Sequence, residues 1–285
     1  RWRARRGAME GVAPEISLRA AWGAAPASRP ASGAPRKRVG LLLGCVQRVF
    51  FAGVNGATAR ALSAEGCDVV VPADQGCCGA LMLHAGLERD AAWRARKLID
   101  AFEGADVDTI VINAAGCGST LKEYGHLLRD DPYYAERAAA FAAKCRDVSE
   151  VLADLEPRAP RHPVPLRVAY HDACHLQHAQ GVPAEPRQVL AAIPELEVAE
   201  IAEAGVCCGS AGIYNLVEPD AARELGERKA RNVVATGADA VASANPGCLL
   251  QMRSSLAETG RTRPMYHLVE LVDASIRGTS PAHRR

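Results

Sequence analysis

Eight of the ten cysteines in this 285-residue chain form two sets of one shape. Cys45, Cys77, Cys78 and Cys117 recur as Cys174, Cys207, Cys208 and Cys248, displaced by 129, 130, 130 and 131 residues. In each set a lone cysteine closes an apolar run, Cys-Cys-Gly follows 32 or 33 residues later, and the last cysteine comes 39 or 40 residues beyond the pair. A duplication that keeps its spacing this closely requires two equivalent halves, each bringing one lone thiol, one adjacent pair and a further thiol to a common place. Neighbouring cysteines do not close an unstrained disulfide with each other, so Cys77-Cys78 and Cys207-Cys208 favour metal ligation, with pairing of each to a distant cysteine as the open alternative.

The rest of the composition agrees. With 48% apolar residues, two halves of about 120 residues are each long enough to bury a core of their own. A net charge of +1, without interleaved basic and aromatic residues, gives no footprint for nucleic acid. No run approaches the roughly 18 apolar residues of a transmembrane segment. The first 38 residues lack the unbroken apolar stretch of a secretory signal, because Arg19 interrupts it. The expected location is cytoplasmic, where thiols stay reduced and repeated cysteines serve metal or redox chemistry.

Residues 1–37 carry basic side chains among Ala, Pro, Gly and Ser, and are expected to be a disordered tail or linker. From Arg38 onward, short apolar runs alternate with helical stretches, the mark of parallel βαβ units. The first half, 38–156, reads as strand Val39–Val46, helix Asn55–Glu65, strand Asp68–Val71, a long helix His84–Phe102 and strand Thr109–Asn113. Asp131-Pro132 is expected to cap a further helix carrying Tyr134, Ala138, Phe141 and Cys145. A Pro-rich linker, 157–166, leads to a second half at 167–277, with strands Arg167–Tyr170, Glu197–Ile201 and Ala240–Ala244 and helices Pro186–Ala192 and Asp220–Thr236; a short tail, 278–285, follows. The fold class is therefore α/β: two tandem pseudo-equivalent domains, each a small parallel sheet flanked by helices. The repeated cysteines then lie at the strand C-terminal ends, where open parallel sheets bind ligands.

Iron bound by thiolates needs sulfurs converging from several loops, and three loops per half supply four. Gly79 and Gly209 follow each pair and suit a backbone with positive φ or one passing close to a bound group; Gly116 and Gly247 precede the last cysteines. A helix opening after each Cys-Cys-Gly adds N–H donors and a positive dipole end, which favour thiolate. Zinc is the competing metal, because four sulfurs, or sulfurs with His84, His171 or His175, also close a tetrahedral site; these histidines fit better as hydrogen-bonding neighbours. Cys67 and Cys145 fall outside the repeat, near Leu196 and Ser275 by displacement, and are expected to be buried small hydrophobes. Gly53-Val-Asn-Gly56 lacks the spacing of a dinucleotide loop and reads as a plain helix entry.

The segments Gly44-Cys-Val-Gln47, Gly76-Cys-Cys-Gly-Ala-Leu81 and Ala115-Gly-Cys-Gly118, with His171-Asp-Ala-Cys-His-Leu-Gln177, Cys207-Cys-Gly-Ser-Ala-Gly-Ile-Tyr-Asn215 and Asn245-Pro-Gly-Cys-Leu-Leu-Gln251, resemble the cysteine-rich (CCG) domain found in heterodisulfide reductase, in lactate-utilisation iron–sulfur proteins and in the glycolate oxidase iron–sulfur subunit, the last most closely. The likeness covers about residues 38–277. It implies an electron-transfer subunit holding iron–sulfur clusters, most simply of [4Fe-4S] type, on the eight repeated cysteines. The implied partners are an FAD-binding flavoprotein subunit that oxidises a 2-hydroxy acid, a ferredoxin-like domain or subunit whose own cysteine runs this chain lacks, and an acceptor at the inner face of the cell membrane. L-lactate utilisation and a non-redox zinc scaffold are the alternatives.

Overall fold

The computed structural model describes residues 28–281; the sequence beyond either end, including most of the expected N-terminal tail, lies outside the described residues. Two four-stranded parallel sheets carry the chain. The first runs β2-β1-β3-β4, with β1 at Lys37–Leu41, β2 at Cys67–Val70, β3 at Thr109–Ile112 and β4 at Cys145–Asp147. The second repeats the order as β6-β5-β7-β8, with β5 at Leu166–His171, β6 at Leu196–Glu200, β7 at Ala240–Ser243 and β8 at Met265–His267. Register is conserved between them: Lys37 faces Cys67 as Leu166 faces Leu196. The central strands β3 and β7 are buried along their whole length, as strands covered on both faces must be.

Strands β4 and β8 escape the sequence reading. Each has three residues, too few to show alternation, and each runs straight into a helix, Val148–Asp154 or Leu268–Arg277, through a capping box of Asp147 with Glu150 or His267 with Glu270. Cys145 is therefore a strand residue rather than the end of a helix, and its partner position is Met265, not a site near Ser275: Ile110 faces Cys145 and Val241 faces Met265. The displacement contracts because the first half inserts the helix Ala135–Lys144 between its last cysteine and β4. That helix starts later than expected, since Asp131 Oδ1 accepts from the N–H groups of Tyr133 and Tyr134 and closes a turn in front of it.

Two further boundaries differ. The long helix expected over His84–Phe102 is two, Ala80–His84 and Glu88–Glu103, broken at Gly86 with φ of 74°. Residues 28–36, expected to be tail, instead lie along the edge of the first sheet: Arg29 and Val69 exchange backbone hydrogen bonds, and Arg36 N–H donates to Gly66. This covers an otherwise open strand edge.

The halves do not bury separate cores. One continuous apolar cluster includes Val39, Leu41 and Val111 from the first sheet and Val168, Ala169 and Val241 from the second; a smaller cluster, around Leu98, Ile110 and Phe141, covers only the outer face of the first. The packing is reciprocal. The helix after β1, Ala52–Ala64, lies on the last helix of the second half, Leu268–Arg277, while the helix after β5, Glu185–Ala191, lies on the last helix of the first, Val148–Asp154. Arg60 forks onto Asp273 at 2.9 and 2.7 Å across this contact. Glu65 is buried at the end of Ala52–Ala64, where it accepts from Arg158 N–H and pairs with Arg161 at 2.7 Å.

Breaking a buried pair leaves an uncompensated charge, so Glu65→Ala is expected to lower stability by about 3 kcal/mol. A shared core also requires one unfolding transition in urea, followed by circular dichroism; two separated transitions would show that the halves fold independently.

Candidate metal centre

All eight repeated cysteines line one cleft of about 280 Å³ between the two halves. Within each quartet the thiols run in a chain of contacts. Cys45 Sγ lies 3.4 Å from Cys77 Sγ, and hydrogen bonds link Cys77 to Cys78 and Cys78 to Cys117; in the second quartet the links run from Cys174 to Cys207, Cys208 and Cys248. All ten cysteines are free thiols.

The backbone explains the convergence. Cys45 stands at the entry to the helix Val46–Phe50, and Cys174 at the entry to the π-helical turn His175–Ala179. Cys117 and Cys248 lie in the first turns of helices Ala115–Lys122 and Pro246–Glu258, not in open loops. Helix N-termini present free N–H groups and positive partial charge, which favour thiolate. The pairs are held more tightly: Gly79 N–H donates to Cys77 Sγ and Gly209 N–H to Cys207 Sγ, each at 3.4 Å.

Gly79 and Gly209 take the expected positive φ, 83° and 93°, and their missing Cβ also makes room for the long helix that packs on them. A Cβ at Gly79 would stand 3.1 Å from the Ala91 backbone, and one at Gly209 only 2.3 Å from Ala222 O.

Electrostatics inside each quartet are divided. Donation from Cys45, then Cys78, holds Cys77 far below the ordinary thiol range, while Cys45 is pushed up by that same bond and by burial. Cys207 is likewise low, through Cys174 and Cys208, and Cys174 high. Cys78 and Cys208, fully enclosed and bonded on both sides, are pushed up. Four thiolates in mutual contact repel one another, so protons must remain on some of them unless a cation replaces those protons. The donor set therefore suits a thiolate-bound metal group.

A polar scaffold that the sequence reading missed positions the first quartet. Gln75 accepts from Leu43 N–H at 2.9 Å and donates to Leu41 O, clamping the segment between β1 and Cys45. Asn113 donates to Asn55 and Thr58, Asn55 donates to Leu43 O, and Gln47 donates to Asn113 O, all buried. Burial of several amides around one apolar strand end was the missing signal, and it depends on tertiary contacts. The halves also touch directly at the site: Ala115 N–H donates to Ala244 O, Gly116 N–H to Asn245 Oδ1, and Gln180 to Ala115 O.

The histidines separate by position. His171 is buried, with a ring nitrogen and the sulfurs of Cys208 and Cys248 all within 4.8 Å of one another; donation from Cys208 first, and the nearby His171 with it, push the Cys248 thiol down. His175 Nδ1 lies 3.7 Å from Cys174 Sγ. His84 comes from the other half and meets His175 edge to face, ring centroids 5.3 Å apart, where burial and then His175 lower its proton affinity. Cys67 and Cys145 are buried away from the cleft, as expected.

The profile of the cysteine-rich CCG domain matches residues 39–122 and again 168–253, one match around each quartet. The chain belongs to this family. Among its relatives, the probable glycolate oxidase iron–sulfur subunit of Bacillus subtilis is 41% identical over 93% of this chain and 60% of its own length. The glycolate oxidase iron–sulfur subunit of Escherichia coli is 35% identical over 85% of this chain and 58% of its own. This CCG protein therefore spans less than two thirds of those relatives. Lactate utilization protein A of Exiguobacterium is 28% identical over 84% of this chain and 98% of its own length. A hypothetical protein from Helicobacter pylori shares the fold, with a TM-score of 0.62 over 95% of this chain and 54% of its own, at 8% identity.

Gly209→Ala combines backbone strain with a clash against Ala222 O, and is expected to cost about 3 kcal/mol, with Gly79→Ala costing about half as much. Thermal unfolding of both variants checks the order.

Proposed function

We propose that this CCG protein is the iron–sulfur electron-transfer part of a complex that oxidises a 2-hydroxy acid, with glycolate as the leading substrate. The observation that carries the reading is the convergence of eight free thiols, four from each half, on one cleft. Cys45, Cys77, Cys78 and Cys117 would hold one cluster, and Cys174, Cys207, Cys208 and Cys248 the other, with [4Fe-4S] as the simplest type for four thiolates. Such a group, when bound, supplies one-electron transfer. The cleft is about twenty times what a single water-sized occupant requires, room that a bare zinc ion does not need.

The chain itself contributes thiolates, the Gly79 and Gly209 N–H donors to sulfur, and a largely apolar enclosure that limits water. Among the described residues the cleft is lined by His84 and His175 but by no carboxylate; substrate oxidation is assigned to a flavoprotein partner with FAD. A ferredoxin-like domain or subunit would stand between this chain and a membrane acceptor. No helix among the described residues is long and apolar enough to cross a membrane; the acceptor proposed for this chain lies at the inner face of the cell membrane.

Two other readings have an observation each. L-lactate utilisation is favoured by the match to almost the whole length of lactate utilization protein A. A zinc scaffold is favoured by His171 beside Cys208 and Cys248.

Protein purified without oxygen is expected to contain iron and comparable acid-labile sulfide. Cys78→Ser and Cys208→Ser should each remove about half the iron. Zinc without sulfide would replace this reading with the scaffold, and unchanged iron in both variants would remove these residues from ligation. Growth on glycolate against L-lactate in a strain lacking the gene separates the two substrates.

A further inference from the structure

The two quartets sit in equivalent folds, yet their surroundings are not equivalent. The strand registers pair His171 with Leu42, and the helix N-caps pair Asn245 with Ala114. The residue after each Cys-Cys-Gly is Ser210 in the second half and Ala80 in the first. Gly79 packs on Ala91 as Gly209 packs on Ala222, which aligns the two long helices and pairs Lys229 with Leu98. The buried positions confirm that alignment: 91, 95, 98, 99 and 102 in one helix, and 222, 226, 229, 230 and 233 in the other. At all four positions the second half has a polar side chain where the first has an apolar one.

Each of these side chains bears on the second quartet. Asn245 Nδ2 donates to Cys248 Sγ at 3.2 Å, and a ring nitrogen of His171 lies within 4.8 Å of the same sulfur. Ser210 lines the cleft, with its hydroxyl against Gly247. Lys229 is 1% exposed, and its Nζ donates to Glu203 O at 2.8 Å and Ala204 O at 3.5 Å, in the turn leading to Cys207. Burial works against its charge, while the thiolates of Cys208 and Cys207 and the carboxylates of Glu203 and Asp172 favour it. Those carboxylates have their own partners, Arg228 and Arg187. Near the first quartet the positive charge is Arg94, close to Cys77, but this side chain is only half-buried and stacks on exposed Trp93, where solvent screens it; the polar groups there are Gln47 in the cleft wall and Tyr124, which donates to Cys78 O and not to sulfur.

Hydrogen bonds to sulfur and nearby positive charge stabilise the form of a thiolate-bound centre that carries the extra electron. We infer that His171, Asn245, Ser210 and Lys229 make the second quartet, Cys174 with Cys207, Cys208 and Cys248, the more easily reduced of two unequal centres. The inference rests on the iron–sulfur reading above. One electron, supplied by a reduced flavin in the complex or by dithionite in a titration, then comes to rest in the second half with no proton or bond change on this chain.

The test is a potentiometric titration of the anaerobic protein, followed by electron paramagnetic resonance, with iron and sulfide measured on each sample. Two potentials are expected, and Cys208→Ser should abolish the higher. Lys229→Met should shift the sharing of one electron between the centres at least tenfold toward the first, about 59 mV, and leave the other potential in place. Asn245→Ala, which installs the residue found at position 114 and also removes the acceptor of Gly116 N–H, should move the same potential in the same direction by less, so it decides the matter if Lys229→Met fails to fold. Loss of the lower potential in Cys208→Ser, equal potentials in iron-replete protein, or unchanged potentials in both polar variants would overturn this inference alone. Protein without iron and sulfide would overturn the functional reading and this inference with it.

Discussion

Four thiols brought into contact cannot all ionise, because each negative charge raises the cost of the next. The structure confronts this twice, and much of its architecture follows. In each half the first thiol of the pair is held as thiolate by donation from its neighbours and from the glycine two residues on, while the enclosed second thiol keeps its proton. Such an arrangement is stable as it stands but becomes fully ionised only around a cation, so the quartets couple proton release to metal binding. The helix starts that carry Cys117 and Cys248 and the buried amides behind Cys45 are devices for holding sulfur at this separation without closing a disulfide.

Reciprocal packing of the halves turns two sites into one cleft. Each half gives the helix leading into its second strand, Ala52–Ala64 or Glu185–Ala191, to the other's last, and the apolar interior runs through both sheets. The cysteine loops therefore face each other, and direct bonds from Ala115 to Ala244 and Gly116 to Asn245 set their separation. The pseudo-symmetry is incomplete. The position matching Ala115 is Pro246, which has no N–H to return the bond, and Asn113 O accepts from Gln47 instead. Divergence after duplication thus left polar groups in different places: buried amides behind Cys45 in the first half, and Asn245, His171 and Lys229 near Cys248 and Cys208 in the second.

Much of the fold is legible in the chain itself, and the failures are specific. Six strands and the long helices follow from apolar runs and periodicity, because both are local consequences of burial. Strands β4 and β8 do not, since three residues carry no period and their place is fixed only by pairing with Ile110 and Val241. The positive φ of Gly79 and Gly209 follows from the sequence, but the crowding helix that also requires a missing Cβ there approaches from a part of the chain that no spacing rule locates. Likewise Gln75, Asn55 and Asn113 look like ordinary surface amides in the sequence and become supports of the site only once buried beneath it.

What the sequence determined is the duplication: two parallel α/β halves, eight equivalent thiols, and their position after the strands. These are written in spacing, and spacing survives without knowledge of contacts. What only the tertiary structure decided is how the halves meet, that all eight thiols share one cleft, and that His171, Asn245, Ser210 and Lys229 crowd one quartet and not the other. Those properties depend on distances between residues remote in the chain, and helix-on-helix packing across the two sheets, not local pattern, sets those distances.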